Sequence, residues 1–355
     1  MPRIQAAALK EFAVEVFKAC GAPAVEAAIV ADHLVTANLM GVDSHGVMRI
    51  SQYVQDIREQ AIVPGAPITI RRETDTTAVV DGAWNFGMVT AQRAMEVAIR
   101  KAQEHHTACV VTERCGHAGR LGAYTQFAAE NGLFAMGVCN SPRHGHFVLP
   151  WGGRAGRLGT NPISFAVPTN VGPAIIADFS TSAAPEGKIR LYRDQGKTLP
   201  DGWIVDAQGV PSINPSDFYG PPMGSILPFG REIGYRGYAL SLLVEILGGA
   251  LAGHDIAVER PGNGVAFLVI DISAFIPAAQ FHALIERMRS YLKSSPPADG
   301  FSEVLLPGEP EFRTAESRRL EGIPIDEKTW YEMCRCAESL GIGWHTLLPA
   351  TDPGE

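Results

Sequence analysis

The feature that most limits the fold of this chain is a change of hydrophobic period at Pro64-Gly65-Ala66-Pro67. Before the break, apolar residues recur at helical spacing over 4–20 and again over 24–39, with Gly21-Ala22-Pro23 as a stop and restart. Two helices packed as a hairpin satisfy that pattern. Asp43 then suits an N-cap, and Val47, Ile50, Tyr53, Val54 and Ile57 carry a third helix to the break. Beyond it the apolar runs shorten and become β-branched. Residues 68–70 and 77–81 read as strands, 89–104 as a helix, and 108–111 and 134–138 as strands flanking a helical 121–131. The runs 163–168 and 174–178 lie too close for a crossover connection, so they pair antiparallel.

The expectation is an α/β protein whose sheet is mixed and largely antiparallel. Residues 199–234, polar and rich in Gly and Pro, read as a long functional connection. Residues 237–253 read as a buried helix, 266–271 as an interior strand, 277–294 as an amphipathic helix, 329–340 as a further helix, and 352–355 as a disordered tail. At 355 residues the chain suits two domains of ordinary size.

A net charge of −8 with no Lys/Arg run excludes the phosphate-neutralising surface that nucleic-acid binding needs. Cys20, Cys109, Cys115, Cys139, Cys334 and Cys336 are scattered, which fits a reducing compartment better than a disulfide framework. The first residues lack a charged n-region and apolar h-region, and the longest apolar stretch, 238–253, is interrupted by Glu245 and three glycines where about 20 apolar residues are needed to span a bilayer. A cytoplasmic protein with no membrane partner is expected.

Chemistry concentrates in the run Gly41-Val42-Asp43-Ser44-His45-Gly46-Val47-Met48-Arg49-Ile50. On a helix begun near Ser44, His45 and Arg49 lie about 40° apart and flank the apolar face, whose centre is about 110° further round. A proton carrier beside a permanent cation suits a site that holds a carboxylate while moving a proton on the neighbouring carbon. The same pair is equally read as a solvated first turn. A second histidine stands in the glycine-rich loop Arg114-Cys115-Gly116-His117-Ala118-Gly119-Arg120-Leu121-Gly122, between strand and helix, where α/β proteins place ligands, although turn histidines are also common.

The 152–162 segment offers backbone N–H groups, Arg154, Arg157, Thr160 and Asn161 for an anion, and Asp178-Phe179-Ser180-Thr181-Ser182 follows a strand with one carboxylate and three hydroxyls. Each is also readable as an ordinary loop or N-cap. No Gly-x-Gly-x-x-Gly, Walker or Gly-x-Ser-x-Gly motif occurs. A dinucleotide would have to be held outside a standard Rossmann domain. His105, His106, His117, His144 and His146 lack acidic partners at ligand spacing, so no metal site is expected.

Taken in order, Gly-Val-Asp-Ser-His-Gly-Val-x-Arg at 41–49, the His117 loop, Leu158-Gly159-Thr160-Asn161-Pro162, Asp178-Phe-Ser-Thr-Ser, and Gly237-Tyr238-Ala239-Leu240 running into Val244-Glu245-Ile246-Leu247 resemble the malate/L-lactate dehydrogenase type II oxidoreductases. That group includes ureidoglycolate dehydrogenase, diketogulonate reductase, sulfolactate dehydrogenase and piperideine-carboxylate reductase. The resemblance covers nearly the whole chain.

It implies a non-Rossmann nicotinamide-binding fold, with a helical domain from residues 1–72 and 300–355 and an α/β domain from 73–299, working as a homodimer. It also implies hydride transfer between NAD or NADP and a small 2-hydroxy or 2-oxo acid. Alternatives are a reductase of cyclic 2-imino acids or a non-catalytic binder of nicotinamide or carboxylate. By motif position His117 and His45 are the candidate proton carriers, His117 for transfer and His45 to orient the substrate oxygen, and Arg49 binds the substrate carboxylate. Asn140, Ser141, Thr160, Asp178, Ser180, Ser182, Arg236, Pro307, Gly308 and Glu309 fall at the cofactor positions. The chain departs from the family pattern at Arg114-Cys115-Gly116-His117-Ala118-Gly119, where Asn-Ser-Asn-His-Phe-Gly is usual, and at Gly234-Tyr235-Arg236-Gly237-Tyr238, where a histidine is lost.

Overall fold

The computed structural model describes residues 2–256, 262–343 and 345; the expected disordered tail at 352–355 lies outside the described residues. After a short strand β1 (Arg3–Ile4), α1 (Ala6–Ala19) and α2 (Ala24–Leu39) form the hairpin that their period predicts. Phe12, Val16 and Phe17 of α1 and Val30 and Leu34 of α2 are buried in one cluster. Gly21, at φ 87°, makes the left-handed step that ends α1.

The third helix starts later than the sequence suggests. Two 3₁₀ turns, Asp43–His45 and Val47–Arg49, precede α3 (Ile50–Arg58), and extended Gly46 separates them. Asp43 makes no cap; Asn38 and Arg318 take its carboxylate instead. His45 and Arg49 therefore do not share one regular helical turn.

The α/β part follows in the expected order: β2 (Thr69–Glu73), β3 (Thr77–Asp81), α4 (Gly87–His105), β4 (Thr107–Glu113), α5 (Gly122–Glu130), β5 (Phe134–Cys139), β6 (Ile163–Val167) and β7 (Ile175–Phe179). Together with β11 (Val265–Ile270) they build a seven-stranded sheet ordered β2-β3-β4-β11-β5-β6-β7. Only the β3–β4 pair, joined by α4, is parallel. The mixed, largely antiparallel sheet and the β6–β7 pairing agree with the sequence reading. β11 lies between β4 and β5, where Leu268 faces Cys109 on one side and Met136 on the other. Its residues Val265, Phe267 and Val269 point into the core, and Gly137 leaves room for the Phe267 ring, which a Cβ would meet at 3.1 Å.

The stretch 199–234 is not a featureless connection. With α6 (Glu186–Asp194) before it, it folds into β8 (Ile204–Val205), β9 (Pro211–Ser212), α7 (Pro215–Tyr219) and β10 (Ser225–Ile226), a small sheet ordered β10-β8-β9. Ile189, Ile204, Phe218 and Ile226 pack there against Val148 and Leu158. Apolar residues spaced too widely for a periodic signal still find one another through turns.

Residues 237–253 are also not a buried helix. α8 (Tyr235–Val244) widens into a π turn, Glu245–Gly249, and ends in a 3₁₀ turn, Ala250–Ala252. Small residues Gly237, Ser241 and Gly248 face inward, while Leu242, Leu243, Ile246 and Leu251 are 42–56% exposed. α9 (Ala278–Lys293) is amphipathic as expected, but none of its residues is buried.

α10 (Glu309–Glu321), β12 (Ile323–Pro324) and α11 (Glu327–Ser339) return to the N-terminal helices. β12 pairs with β1, and Ala315, Ile323, Met333 and Ala337 join Phe12, Phe17, Leu34 and Tyr53 in one core. Among the described residues no helix is long and apolar enough to cross a membrane.

Candidate active site

The run after α2 is held in shape by a small polar frame. Asn38 Oδ1 accepts from Val47 N at 2.8 Å, Asn38 Nδ2 donates to Asp43 Oδ1 at 2.6 Å, and Arg318 Nη1 donates to the same carboxylate at 2.7 Å. Gly46 is required, because a Cβ there would lie 2.2 Å from Asn38 Oδ1. The frame delivers His45 with Ser44 Oγ 3.0 Å from its Nδ1. Arg49 is fixed by Nε donating to Ser44 O at 2.8 Å and Nη1 donating to Gln52 Oε1 at 2.7 Å, which leaves Nη2 with no partner among the described residues. A guanidinium clamped on two corners and open on the third is ready for a carboxylate.

The His117 loop comes to meet it. The imidazoles of His45 and His117 stack with centroids 5.7 Å apart and planes 19° apart, and Tyr53 Oη lies 2.6 Å from His117 Nδ1. The fold thus brings together the two histidines and Arg49 that the sequence singles out. The sequence reading missed Tyr53, which occupies an apolar-period position; the available signal was its four-residue step from Arg49, itself four from His45.

Further groups hold the loop from behind. Asn263 Oδ1 accepts from Ala118 N at 2.9 Å and its own backbone N–H donates to Cys115 O at 2.8 Å. Buried His33 accepts from Arg120 N at 2.8 Å through Nε2. Arg114, where the resembled pattern has Asn, forms a two-pronged pair with Asp81 at the end of β3.

His45 and His117 each keep part of their surface open although protein crowds round them, the signature of a cleft wall. Desolvation, followed by the charges of Arg49 and Arg120, lowers the His45 pKa to about 4. Desolvation, Arg49 and the other histidines hold His117 well below the usual imidazole range. Desolvation and Arg120 take His33 to about 3. Desolvation raises the Tyr53 phenol far above its ordinary value, so it stays protonated. A neutral phenol can donate to Nδ1 or accept from it, and the bond survives either tautomer of His117.

The candidate cofactor residues divide into groups. Asn140 spends its side chain inside the protein: Oδ1 accepts from Gly264 N at 2.7 Å and Nδ2 donates to Glu245 Oε2 at 3.0 Å. Ser141, beside it, is half-buried, and its carbonyl accepts from His146 Nε2 at 3.1 Å. Thr160 is tied to the Ser180-Ser182 run, since its carbonyl accepts from Thr181 N at 2.9 Å. Ser182 is buried, and its hydroxyl donates to Ala184 O at 2.9 Å, whereas Ser180 is half-buried.

Asp178 Oδ2 accepts from Gly122 N at 2.7 Å, five residues past His117. Desolvation raises the Asp178 carboxyl pKa, with that N–H and Arg120 opposing. A Cβ on Gly122 would come within 2.9 Å of both Asp178 Oδ2 and Arg120 Nη1, so both groups can close on this backbone only because the residue is glycine. Pro307 O accepts from Ile176 N at 3.1 Å, and Gly308, at φ 92°, lies against Ile176, which puts this turn beside Asp178 on β7. Glu309 is committed to Lys293 at 2.7 Å and to Leu306 N at 3.0 Å.

Arg236 stands apart, exposed over the Tyr235 ring at 5.7 Å. Arg154 and Arg157 are exposed too, and Arg157 Nη1 turns onto Gly156 O at 2.7 Å. No group of three or more His, Cys, Asp or Glu residues placed to hold a metal occurs among the described residues.

Comparison with known proteins finds relatives of nearly the whole chain. A family model described as malate/L-lactate dehydrogenase matches residues 4–334. A malate dehydrogenase of Pyrococcus horikoshii is 36% identical over 345 residues, covering 94% of each chain. Hydroxycarboxylate dehydrogenase B of Escherichia coli is 33% identical, covering 97% of this chain and 96% of that one. The solved sulfolactate dehydrogenase of Methanocaldococcus jannaschii superposes with a TM-score of 0.89 at 31% identity, covering 97% of this chain and 99% of the other.

Proposed function

The chain belongs to the malate/L-lactate dehydrogenase family, and from that premise we propose that it is a 2-hydroxy acid dehydrogenase that uses NAD or NADP and works in the cytoplasm as a homodimer. The observation that carries the reading is the stacked His45–His117 pair, with Tyr53 behind His117 and an unspent Nη2 on Arg49. In this reading residues 1–72 with 300–355 form the helical unit, apart from Thr69–Arg72, which pair into the sheet as part of β2, and 73–299 form the α/β unit with a non-Rossmann nicotinamide site. The exposed Leu242, Leu243, Ile246 and Leu251 are the face that a second copy covers.

The residues fit such a cofactor through the backbone turn Pro307-Gly308 beside Ile176 and the hydroxyls at Ser141 and Thr160. Asp178 and Arg120 offer an acceptor and a donor beside Gly122. Arg236, exposed and cationic, is available to a phosphate. Asn140, Ser182 and Glu309 act by holding these segments, since their own polar groups are occupied. The bound nicotinamide supplies or takes up the hydride at C2 of the acid.

Arg49 grips the substrate carboxylate and fixes C2 in the cleft. His117 is placed to exchange the proton on the C2 oxygen, and His45 to orient that oxygen. In the oxidative direction neutral His117 takes the hydroxyl proton as the hydride leaves, and in reduction the imidazolium returns it. Both rings are neutral near pH 7 in the open cleft, first through burial and then through Arg49. A carboxylate on Arg49 offsets the second cause, so proton affinity rises as substrate binds.

A panel of 2-oxo acids, 2-hydroxy acids and cyclic imino acids, assayed with NADH, NADPH and their oxidised forms, tests the reading. Turnover of one member is expected, with His117→Ala losing about 10²–10⁴-fold in kcat and Arg49→Ala about 10²-fold in kcat/KM. Nicotinamide binding with no turnover across the panel refutes it.

A further inference from the structure

The carboxylate of Glu245 is 6% exposed and makes no ion pair with a described residue. It sits at the start of the π turn and accepts from two amides: Asn140 Nδ2 reaches Oε2 at 3.0 Å and Asn161 Nδ2 reaches Oε1 at 2.9 Å. Asn161 is fully buried and turns its nitrogen to this carboxylate and to Ser241, leaving its own Oδ1 without a partner. A lost neutral bond is accepted there because a charged acceptor dictates the orientation. Gly249 is needed for the reach, since a Cβ would lie 2.7 Å from Asn140 Nδ2.

From Asn140 the network continues. Asn263 Nδ2 donates to Asn140 O at 2.7 Å, and Asn263 Oδ1 accepts from Ala118 N, one residue past His117, at 2.9 Å. One buried carboxylate thus ties together the segments 139–141, 160–161 and 115–118. A buried charge is a poor source of stability, because apolar packing of the same volume does as well or better. What a fully connected polar network does provide is a fixed geometry.

We propose that Glu245 is a positioning residue for hydride transfer: through Asn140 and Asn263 it sets the placement of His117 against the segments that hold the cofactor. The proposal rests on the dehydrogenase reading above, and it goes beyond that reading by assigning a role to a group outside the reacting cleft. The mechanism is one of distance, since a displacement of about 1 Å at a reacting group costs about 10²-fold in rate.

The test reverses one hydrogen bond in the full-length protein. Glu245→Gln keeps the size but supplies one acceptor where the carboxylate supplied two; with that oxygen kept by Asn161, whose Nδ2 Ser241 also fixes, it sets an NH₂ against the NH₂ of Asn140. Adding Asn140→Asp restores a donor–acceptor pair, because the carboxylate introduced at position 140 can accept from the amide introduced at position 245 while still accepting from Gly264 N. The oxygen of that introduced amide can still accept from Asn161. With NADH and the 2-oxo acid that the wild type turns over best, Glu245→Gln is expected to lower kcat about 10- to 100-fold. The Kd for NADH and the KM should each change less than about threefold, and the double variant should recover most of kcat. A wild-type kcat in Glu245→Gln, or a double variant no better than the single one, overturns the proposal.

The His117 imidazole resonances in NMR give a readout independent of turnover: they shift in Glu245→Gln and return in the double variant, and unmoved resonances count against the proposal. If Glu245→Gln does not fold, Asn263→Ala carries the test, with the same fall in kcat expected and wild-type kcat refuting the role. A wild type that binds no nicotinamide and turns nothing over defeats the dehydrogenase reading, whereas an active wild type with an indifferent Glu245 defeats only this one.

Discussion

Tyr53 and His117 share one hydrogen bond inside a largely apolar wall, so removing the hydroxyl separates orientation of the imidazole from its acid–base chemistry. Tyr53→Phe should reduce kcat less than His117→Ala does, while shifting the pH profile of kcat/KM, because Nδ1 loses its partner and the ring its preferred pose. An unchanged profile would show that the phenol only fills space. His33 gives a stability prediction with a definite sign. An unfolded histidine titrates near 6.5, whereas His33 in the fold is held to about 3, so the unfolded chain takes the proton first. Its contribution is complete above about pH 6.5 and is lost as pH falls toward 3, at about 1.4 kcal/mol per pH unit well below 6.5. His33→Gln, which keeps an acceptor for Arg120 N, should flatten the fall in denaturation midpoint between pH 7 and pH 5. An equally steep fall in that variant would assign the effect elsewhere. His45, His117 and Arg49 were legible because their chemistry is written in residue type and spacing. Tyr53, His33 and Asn263 were not, since each joins the site through a partner far along the chain.

Helices and strands were legible where a local signal sets them. The α1–α2 hairpin, α4, α5 and the β6–β7 pair follow from period and a short turn. The start of α3 was not, because Asn38 and Arg318, residues outside the run itself, compete for Asp43 and break the turn at Gly46. α8 was hidden for another reason: Gly237 and Ser241 take inward positions beside Val244 while Leu242 and Leu243 face outward, so apolar character did not mean burial within one chain. That reversal leads to a prediction. Leu243→Asp should convert the protein from dimer to monomer by light scattering, through a charge placed in an apolar contact. A monomeric wild type would remove the dimer proposal. Arg318→Met tests the frame at the other end of the site; it should raise KM for the acid and lower kcat with little effect on Kd for nicotinamide, and wild-type kinetics would show that Asn38 alone suffices.

At the scale of the molecule, the sheet order could not be read from the chain, because β11 pairs with strands that precede it by more than a hundred residues. No local pattern announces that β4 and β5 are separated by a later strand. The helical core has the same character, since Ala315, Met333 and Ala337 close on helices formed at the opposite end.

The position of β11 has a consequence for how the protein is made. During synthesis β4 and β5 leave the ribosome well before the strand that separates them, each offering an unpaired edge, and the Asp43 loop waits still longer for Arg318. Nascent chains ending near residue 264 should therefore bind chaperones and resist compaction, while those extending beyond β11 should gain protease protection across β4 and β5 together. The proposed active site is then among the last things this chain acquires, complete only when α10 has emerged with Arg318.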